Sequence, residues 1–317
     1  MIVLGVETSC DETCVALVKD GKHVLSNVVF SQIDIHKQYG GVVPEIASRH
    51  HIEKIIYVFD QALKDANMTV DEVDLIAVTV NPGLVGSLLV GYNAAVALSI
   101  AFNKPLVEVD HIYGHIYANY LENDFEFPLL ALVVSGGHTQ LVVMKEHMDF
   151  TILGETLDDA VGEAYDKVAR VIGVGYPGGP IIDQMATKGK PTYKLPIARL
   201  EKDSYNFSFS GLKSSVTNLV NQNKMKNIET NHNDLATSFQ ESVITVLVEK
   251  TLKAVHEFGI KQVVIAGGVA ANKGLRLKMT DEIEKLPHVK LTIPSFKYCT
   301  DNAAMIAVGG YFYHNHK

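Results

Sequence analysis

VLGVETSCDETCVALV, residues 3–18, sets a short apolar run, a small polar turn and a second apolar run in succession. Ile2–Val6 and Cys14–Val18 are short and rich in β-branched residues, the composition of strands. Between them Glu7–Thr13 holds only turn-forming and polar side chains. A third run, Val24–Phe30, follows the tight turn Lys19-Asp20-Gly21-Lys22, so the opening predicts three antiparallel strands.

The same arrangement returns at residues 129–144, LLALVVSGGHTQLVVM. Leu129–Val134 and Leu141–Met144 flank the turn Ser135–Thr139. Each hairpin heads a β-rich segment that passes into strand–helix alternation, which predicts an internal duplication. After the first, a helix from about Val43 to Ala66 precedes a strand at Leu75–Val80. Leu84–Phe102 follows as a helix expected to be buried between strands, then a short strand at Leu106–Val109. After the second, Gln262–Ala266 is a strand leading into Gly267-Gly268 and a helix from about Ala270. Leu291–Ile293 is the last strand and Asp301–His314 the last helix. This is an α/β chain. The expected lobes are residues 1–110 with 302–317, and residues 111–301 with helical insertions.

Composition narrows the function. The chain has 317 residues, 47% hydrophobic and 20% charged, the balance of a globular protein. The start lacks a basic n-region and turns acidic early, so no signal peptide is expected. No stretch of about 18 uninterrupted apolar residues predicts a membrane span. Three cysteines are too few for a disulfide framework, and the chain reads as cytoplasmic. A net charge of -8 argues against a self-sufficient basic nucleic-acid binder. Within residues 160–215, however, Lys167, Arg170, Lys188, Lys190, Lys194, Arg199, Lys202 and Lys213 outnumber Glu163, Asp166, Asp183, Glu201 and Asp203. This segment is one candidate phosphate-contacting surface; Arg49-His50-His51 is another.

Three turns put small residues directly after an apolar strand: Glu7–Thr13, Ser135–Thr139 and Gly267–Asn272. Without a Cβ in the way, their backbone N–H groups can approach an anion closely. Asp11 can hold a cation that bridges phosphates, and Asn272 can hydrogen-bond a nucleoside. None matches a Walker or G-x-G-x-x-G sequence. His111-Ile112-Tyr113-Gly114-His115 places two imidazoles at i and i+4, a spacing that can chelate one ion. Asp301, at the start of the last helix, supplies a third candidate ligand, leaving positions open for a substrate oxygen or water. Ile112 stands where a zincin protease carries its general base, so a protease reading lacks its base.

The turns resemble those of the acetate kinase, heat-shock ATPase and actin superfamily, in which two lobes surround a nucleotide cleft. At a finer level the chain resembles the bacterial tRNA adenosine threonylcarbamoyltransferase family, TsaD, once called an O-sialoglycoprotein endopeptidase. The matching stretches run in family order: ETSCDET (7–13), GGVVPEIASRHH (40–51), PGLVGSLLVG (82–91), HIYGH (111–115), SGGHT (135–139), DDAVGEAYDKVAR (158–170), YPGGP (176–180), FSFSGLK (207–213), AGGVAAN (266–272) and CTDNAAMIA (299–307).

The resemblance implies transfer of a threonylcarbamoyl group from threonylcarbamoyl-AMP to the exocyclic amine of adenosine 37 in tRNAs reading ANN codons, with AMP released. It implies one divalent metal, iron or zinc, at His111, His115 and Asp301, with magnesium accompanying the nucleotide as a second candidate. It assigns the adenylate to Val134, Ser135, Gly136, Gly137, His138, Asp166, Gly179, Asp183 and Asn272. Asp11 and Glu12 are the acid–base candidates, with solubility of a hairpin tip as the alternative reading. The implied partners are tRNA, a paralogous actin-like subunit (TsaB) and an ATPase (TsaE), with no membrane. Asn81 departs from the family's usual Gly, and its tolerance of positive φ is the expected compensation. The chain ends at Lys317, short of the further tail expected from the resemblance. A non-catalytic nucleotide-binding scaffold would not need the histidine–aspartate set. A small-molecule kinase would turn over ATP without tRNA.

Overall fold

The computed structural model describes residues 1–200 and 203–316, so the expectations that fall on Glu201, Lys202 and Lys317 lie outside the described residues. The chain divides into two compact units, Met1–Phe125 with Pro294–Lys317, and Glu126–Ile293. The sequence pattern places the crossings at 110/111 and 301/302. They fall instead after residues 125 and 293, because the helix bearing the histidine pair packs on the chain's last helix and stays with the first unit.

The first unit opens with β1 (Ile2–Glu7), β2 (Glu12–Lys19) and β3 (His23–Ser31), antiparallel as expected, then a single helical turn, α1 (Ile33–His36). Next come α2 (Pro44–Ala66), β4 (Leu75–Asn81), α3 (Val85–Phe102), β5 (Leu106–Asp110) and α4 (His111–Ala118). The sheet order is β3-β2-β1-β4-β5, with β4 parallel to both β1 and β5. Alternation along β1 divides its side chains between two faces. Leu4 and Val6 join Ile55, Val58, Phe59 and Ala62 of α2 in one core cluster. On the other face, Gly5 lies against Ala303 and Ala307 of the last helix.

The second unit repeats this plan. It contains β6 (Leu129–Val134), β7 (Thr139–Met144), β8 (Phe150–Glu155), α5 (Val161–Val171), α6 (Gly178–Ala186), α7 (Ser210–Met225), α8 (His232–Phe258), β9 (Gln262–Ala266), α9 (Lys273–Ile283) and β10 (Lys290–Thr292). Its order, β8-β7-β6-β9-β10, matches β3-β2-β1-β4-β5 strand for strand, with the same antiparallel and parallel pairings. The duplication expected from the two hairpins is therefore present throughout both sheets. The last helix, α10 (Ala303–Asn315), returns to the first unit.

Helix α3 differs from expectation. Among its residues only Ser87, Gly91 and Ala95 are buried. Its length and mean hydropathy of 1.7 would suit a membrane span, but these small side chains seat it closely on its own unit. A Cβ at Gly91 would strike the Thr8 side chain, whose hydroxyl donates to the Ser87 carbonyl at 2.8 Å. Of its larger apolar residues, Val90, Tyr92 and Leu98 pack against the unit's core cluster, whereas Val85 is 74% and Ile100 76% exposed. On the adjoining α2, Ile56 is 74% and Tyr57 72% exposed. Both helices therefore expose large apolar side chains.

Candidate metal centre and nucleotide site

The sequence places the histidine pair on a helix, and the structure shows what fixes that helix. Asp110 caps α4, accepting from the Ile112 and Tyr113 amides at 2.8 and 3.2 Å. Asn81 donates to the other Asp110 oxygen at 2.7 Å. Asn81 does not adopt positive φ, so its contribution is this hydrogen bond and not the conformational tolerance expected of it. Gly114, midway between the histidines, meets the Ile306 and Met305 side chains, letting α10 approach closely. Asp301 lies two residues before α10, whose cap is the intervening Asn302 side chain.

His111, His115 and Asp301 thereby present one ligand atom each, all within 4.8 Å of one another. Asp301 Oδ1 lies 3.6 Å from His111 Nε2 and 3.2 Å from His115 Nε2. Three donors each about 2.0–2.2 Å from a shared ion would be separated by such distances. His115 is buried, yet neither ring nitrogen makes a hydrogen bond with acceptable geometry. Burying an imidazole without partners is costly, so an ion between these groups fits the donor set.

The Glu7–Thr13 turn lies against the same centre. Glu7 is fully buried, with Oε2 2.9 Å from His111 Nδ1. Burial works against charge on His111, but the Glu7 and Asp301 carboxylates outweigh it and hold its pKa up to about 9. Asp11 is buried, so it is not a solvated hairpin tip. Glu12 accepts from Ser31 Oγ at 2.9 Å, and burial together with the Asp301 and Asp11 charges raises its pKa well above the usual carboxylate range. His51 is buried beneath the turn. Its Nε2 lies 2.9 Å from the Cys10 carbonyl and its Nδ1 2.8 Å from Thr13 Oγ1. This removes His51 from any tRNA-facing surface and makes it a support for the turn. The three cysteines are free, as their number implied.

All nine expected adenylate positions fall within the second unit. Val134 ends β6, and Ser135–His138 form a tight turn closed by Ser135 N–H to the His138 carbonyl at 2.8 Å. A Cβ at Gly136, Gly137, Gly179 or Gly268 would meet nothing within 4 Å, so each offers bare backbone to open space. At Gly267, with φ of 90°, a Cβ would run into the Val134 carbonyl, which ties the third glycine turn to the hairpin. Asp166 accepts the Gly178 amide at 2.6 Å at the start of α6. Asp183 accepts from Gln240 Nε2 and from the Lys273 amide, each at 3.2 Å. Asn272 caps α9 through Leu275 N–H at 2.8 Å and donates to Gln240 Oε1 at 2.7 Å.

Gln240 and Tyr165, which contact Asp183 or Asn272, were not legible as site residues. Gln240 is one amide in a long helix; its only signal is a polar residue on an otherwise buried stripe. Glu7, Thr79 and His51 could not be tied to the candidate metal ligands or their supporting turn, because each meets its partners only across long stretches of sequence.

Two mixed sheets of one topology define an actin-like ATPase fold. Solved structures agree on the fold. The chain aligns along its whole length with component A of (R)-2-hydroxyglutaryl-CoA dehydratase from Acidaminococcus fermentans, at TM-score 0.58 and 16% identity, covering 100% of both chains. It also aligns over 99% of its length with 46% of full-length HypF, at TM-score 0.63 and 13% identity. The family model for TsaD, tRNA N6-adenosine threonylcarbamoyltransferase, matches residues 23–308. A tRNA N6-adenosine threonylcarbamoyltransferase of Bacillus anthracis is 61% identical over 309 residues, covering 98% of this chain and 90% of that protein. One from Staphylococcus aureus (strain Newman) is 56% identical over 312 residues, covering 98% and 91%. The chain belongs to the TsaD family of transferases.

Proposed function

We propose that this chain joins the threonylcarbamoyl group of threonylcarbamoyl-AMP to the exocyclic amine of adenosine 37 in tRNAs reading ANN codons, releasing AMP. The observation that carries this reading is the cluster of two buried histidines, His111 and His115, with the half-buried Asp301 in a chain of the TsaD family. A scaffold without chemistry has no use for it.

The donor carbamate is already activated, so the protein's work is positioning, polarisation and proton handling. In the second unit, the Ser135–His138 turn and Gly268 give the adenylate bare backbone. Asp166, Gly179, Asp183 and Asn272 hold its sugar and base. As the amine nitrogen bonds to the carbamoyl carbon, the bond from that carbon to the AMP oxygen breaks and the amine loses a proton. Asp11 and Glu12 are the acid–base pair for that transfer; burial and the neighbouring Asp301 and Asp11 charges raise the pKa of Glu12, which favours its holding a proton. His111, His115 and Asp301 hold one divalent ion; two imidazoles and a carboxylate suit iron and zinc alike, and when bound it supplies Lewis acidity. Magnesium accompanies the nucleotide.

The large apolar side chains exposed on α2 and α3 support assembly with another protein, which we assign to the paralogous subunit TsaB. The ATPase TsaE and tRNA complete the set, and the setting is the cytoplasm. The test is transfer in vitro from threonylcarbamoyl-AMP to tRNA with these partners present. The His111→Ala, His115→Ala double variant should stay folded and lose both bound metal and transfer. Full metal retention would overturn the assignment. ATP turnover with a soluble acceptor and no tRNA modification would favour a kinase.

A further inference from the structure

A neutral imidazole carries one N–H, and the nitrogen that lacks it is the one able to ligate an ion. What holds the proton of His111 in place therefore decides whether Nε2 is available to the metal. Glu7, the last residue of β1, is fully buried, an expensive position for a carboxylate unless donors surround it. They do. Thr79 Oγ1, from β4, donates to Oε2 at 2.6 Å, and the Ser9 amide donates to Oε1. The remaining neighbour is His111 Nδ1, 2.9 Å from Oε2. An ionised carboxylate only accepts, so Nδ1 must be the protonated nitrogen. Ser9 Oγ, 3.1 Å from the same Nδ1, then takes a secondary share of that proton. When the ring gives up its second proton to an ion, it is Nε2, on the far side and 3.6 Å from Asp301, that carries the lone pair. His115 has no such arrangement: its Nδ1 makes no hydrogen bond, and its ring stands edge-on to His111 with centroids 4.6 Å apart.

We propose that Glu7 is a positioning residue for the metal centre: it fixes His111 as the Nδ1–H tautomer and so makes Nε2 the ligand nitrogen. Thr79 in turn fixes Glu7. The proposal rests on the reading of His111, His115 and Asp301 as ligands.

Glu7→Gln tests it, because the amide keeps one acceptor oxygen and cannot accept from both the Ser9 amide and the His111 imidazole. Chelator competition with Zn²⁺ or Co²⁺ on the full chain should show binding weakened by about 10- to 100-fold, the usual range for loss of a carboxylate partner to a ligating histidine. Glu7→Asp should recover part of it, and Ser9→Ala should change it by less than about threefold, since Glu7 keeps the proton. The same assay on His115→Ala separates the two readings. If His115→Ala binds like wild type, the ligand set itself is wrong. If His115→Ala loses metal while folded Glu7→Gln does not, only the role of Glu7 is overturned. Should Glu7→Gln fail to fold, the ¹⁵N–¹H spectrum of the zinc-loaded wild-type protein decides. An Nδ1 proton and a zinc-shifted Nε2 on His111 support the proposal, and an Nε2 proton refutes it.

Discussion

His111 shows how two buried carboxylates set the charge of one ring. Folding raises its pKa to about 9, against the penalty of burial, through Glu7 and Asp301. Glu7 moves the opposite way: burial pushes it up, but the His111 charge brings it below its ordinary value. A histidine raised by folding stabilises the metal-free protein fully below the unfolded value of about 6.5, and that contribution is lost as pH rises through about 9. An ion must displace the Nε2 proton. Apparent metal affinity is therefore expected to rise about tenfold per pH unit between roughly pH 6.5 and 8.5. Chelator competition across that range measures it; a flat profile would show that His111 is not protonated in the metal-free state. Gly137 makes a separate case. The space beside it is open, so Gly137→Val is expected to fold normally while filling the volume the adenylate backbone contact needs. Calorimetry should give at least about tenfold weaker adenylate binding, roughly 1.4 kcal/mol. Unchanged affinity in the folded variant would take the Ser135–His138 turn out of the site.

Among the elements, the contact between β1 and α10 governs the metal centre. Gly5 faces the Ala303 carbonyl and Ala307 so closely that any Cβ would collide with backbone. Gly5→Ala must therefore displace the start of α10, two residues beyond Asp301. Urea unfolding should show a loss of about 1–3 kcal/mol, as for other overpacked cores, and zinc affinity should fall with it. A variant destabilised but with native zinc affinity would mean that Asp301 is placed independently of α10. Hairpins such as β1–β2 and β6–β7 were legible because strand, turn and strand are contiguous. Helix α3 was misjudged because apolar composition was equated with burial. Its fully buried residues are the small Ser87, Gly91 and Ala95; Val90, Tyr92 and Leu98 are only partly buried against the core, and Val85, Leu89 and Ile100 are exposed. The stretch between β7 and β9, with β8 and α5 to α8, gave motifs but no readable elements. Glu7 could not be assigned to the metal centre, because its partners Thr79 and His111 lie 72 and 104 residues away. The candidate ligands could be read as a set because two of the three share one helix.

For the molecule as a whole, the question is how a chain of net charge -8 meets a polyanion. The basic segment between residues 160 and 215 is less available than its composition suggests. Lys167 pairs with Asp159 and Glu163, at 2.6 and 2.9 Å, and Arg199 pairs with Glu249 at 2.6 Å. Lys202 lies outside the described residues. Lys188, Lys190 and Lys194 are exposed and enter no ion pair among the described residues. They follow α6, the helix that carries Asp183, so they belong to the unit holding the adenylate residues. The alternative surface at Arg49-His50-His51 has lost its last member to the interior. Two or three phosphate contacts give weak binding by themselves, with partners contributing the rest. Reversing charge at Lys188 and Lys190 should therefore lower tRNA affinity and reduce the slope of log affinity against log salt by up to about two. Adenylate binding should be unaffected. Fluorescence titration of tRNA at several salt concentrations measures both quantities. An unchanged slope would place the phosphate contacts elsewhere, on the exposed Arg49 or on a partner subunit.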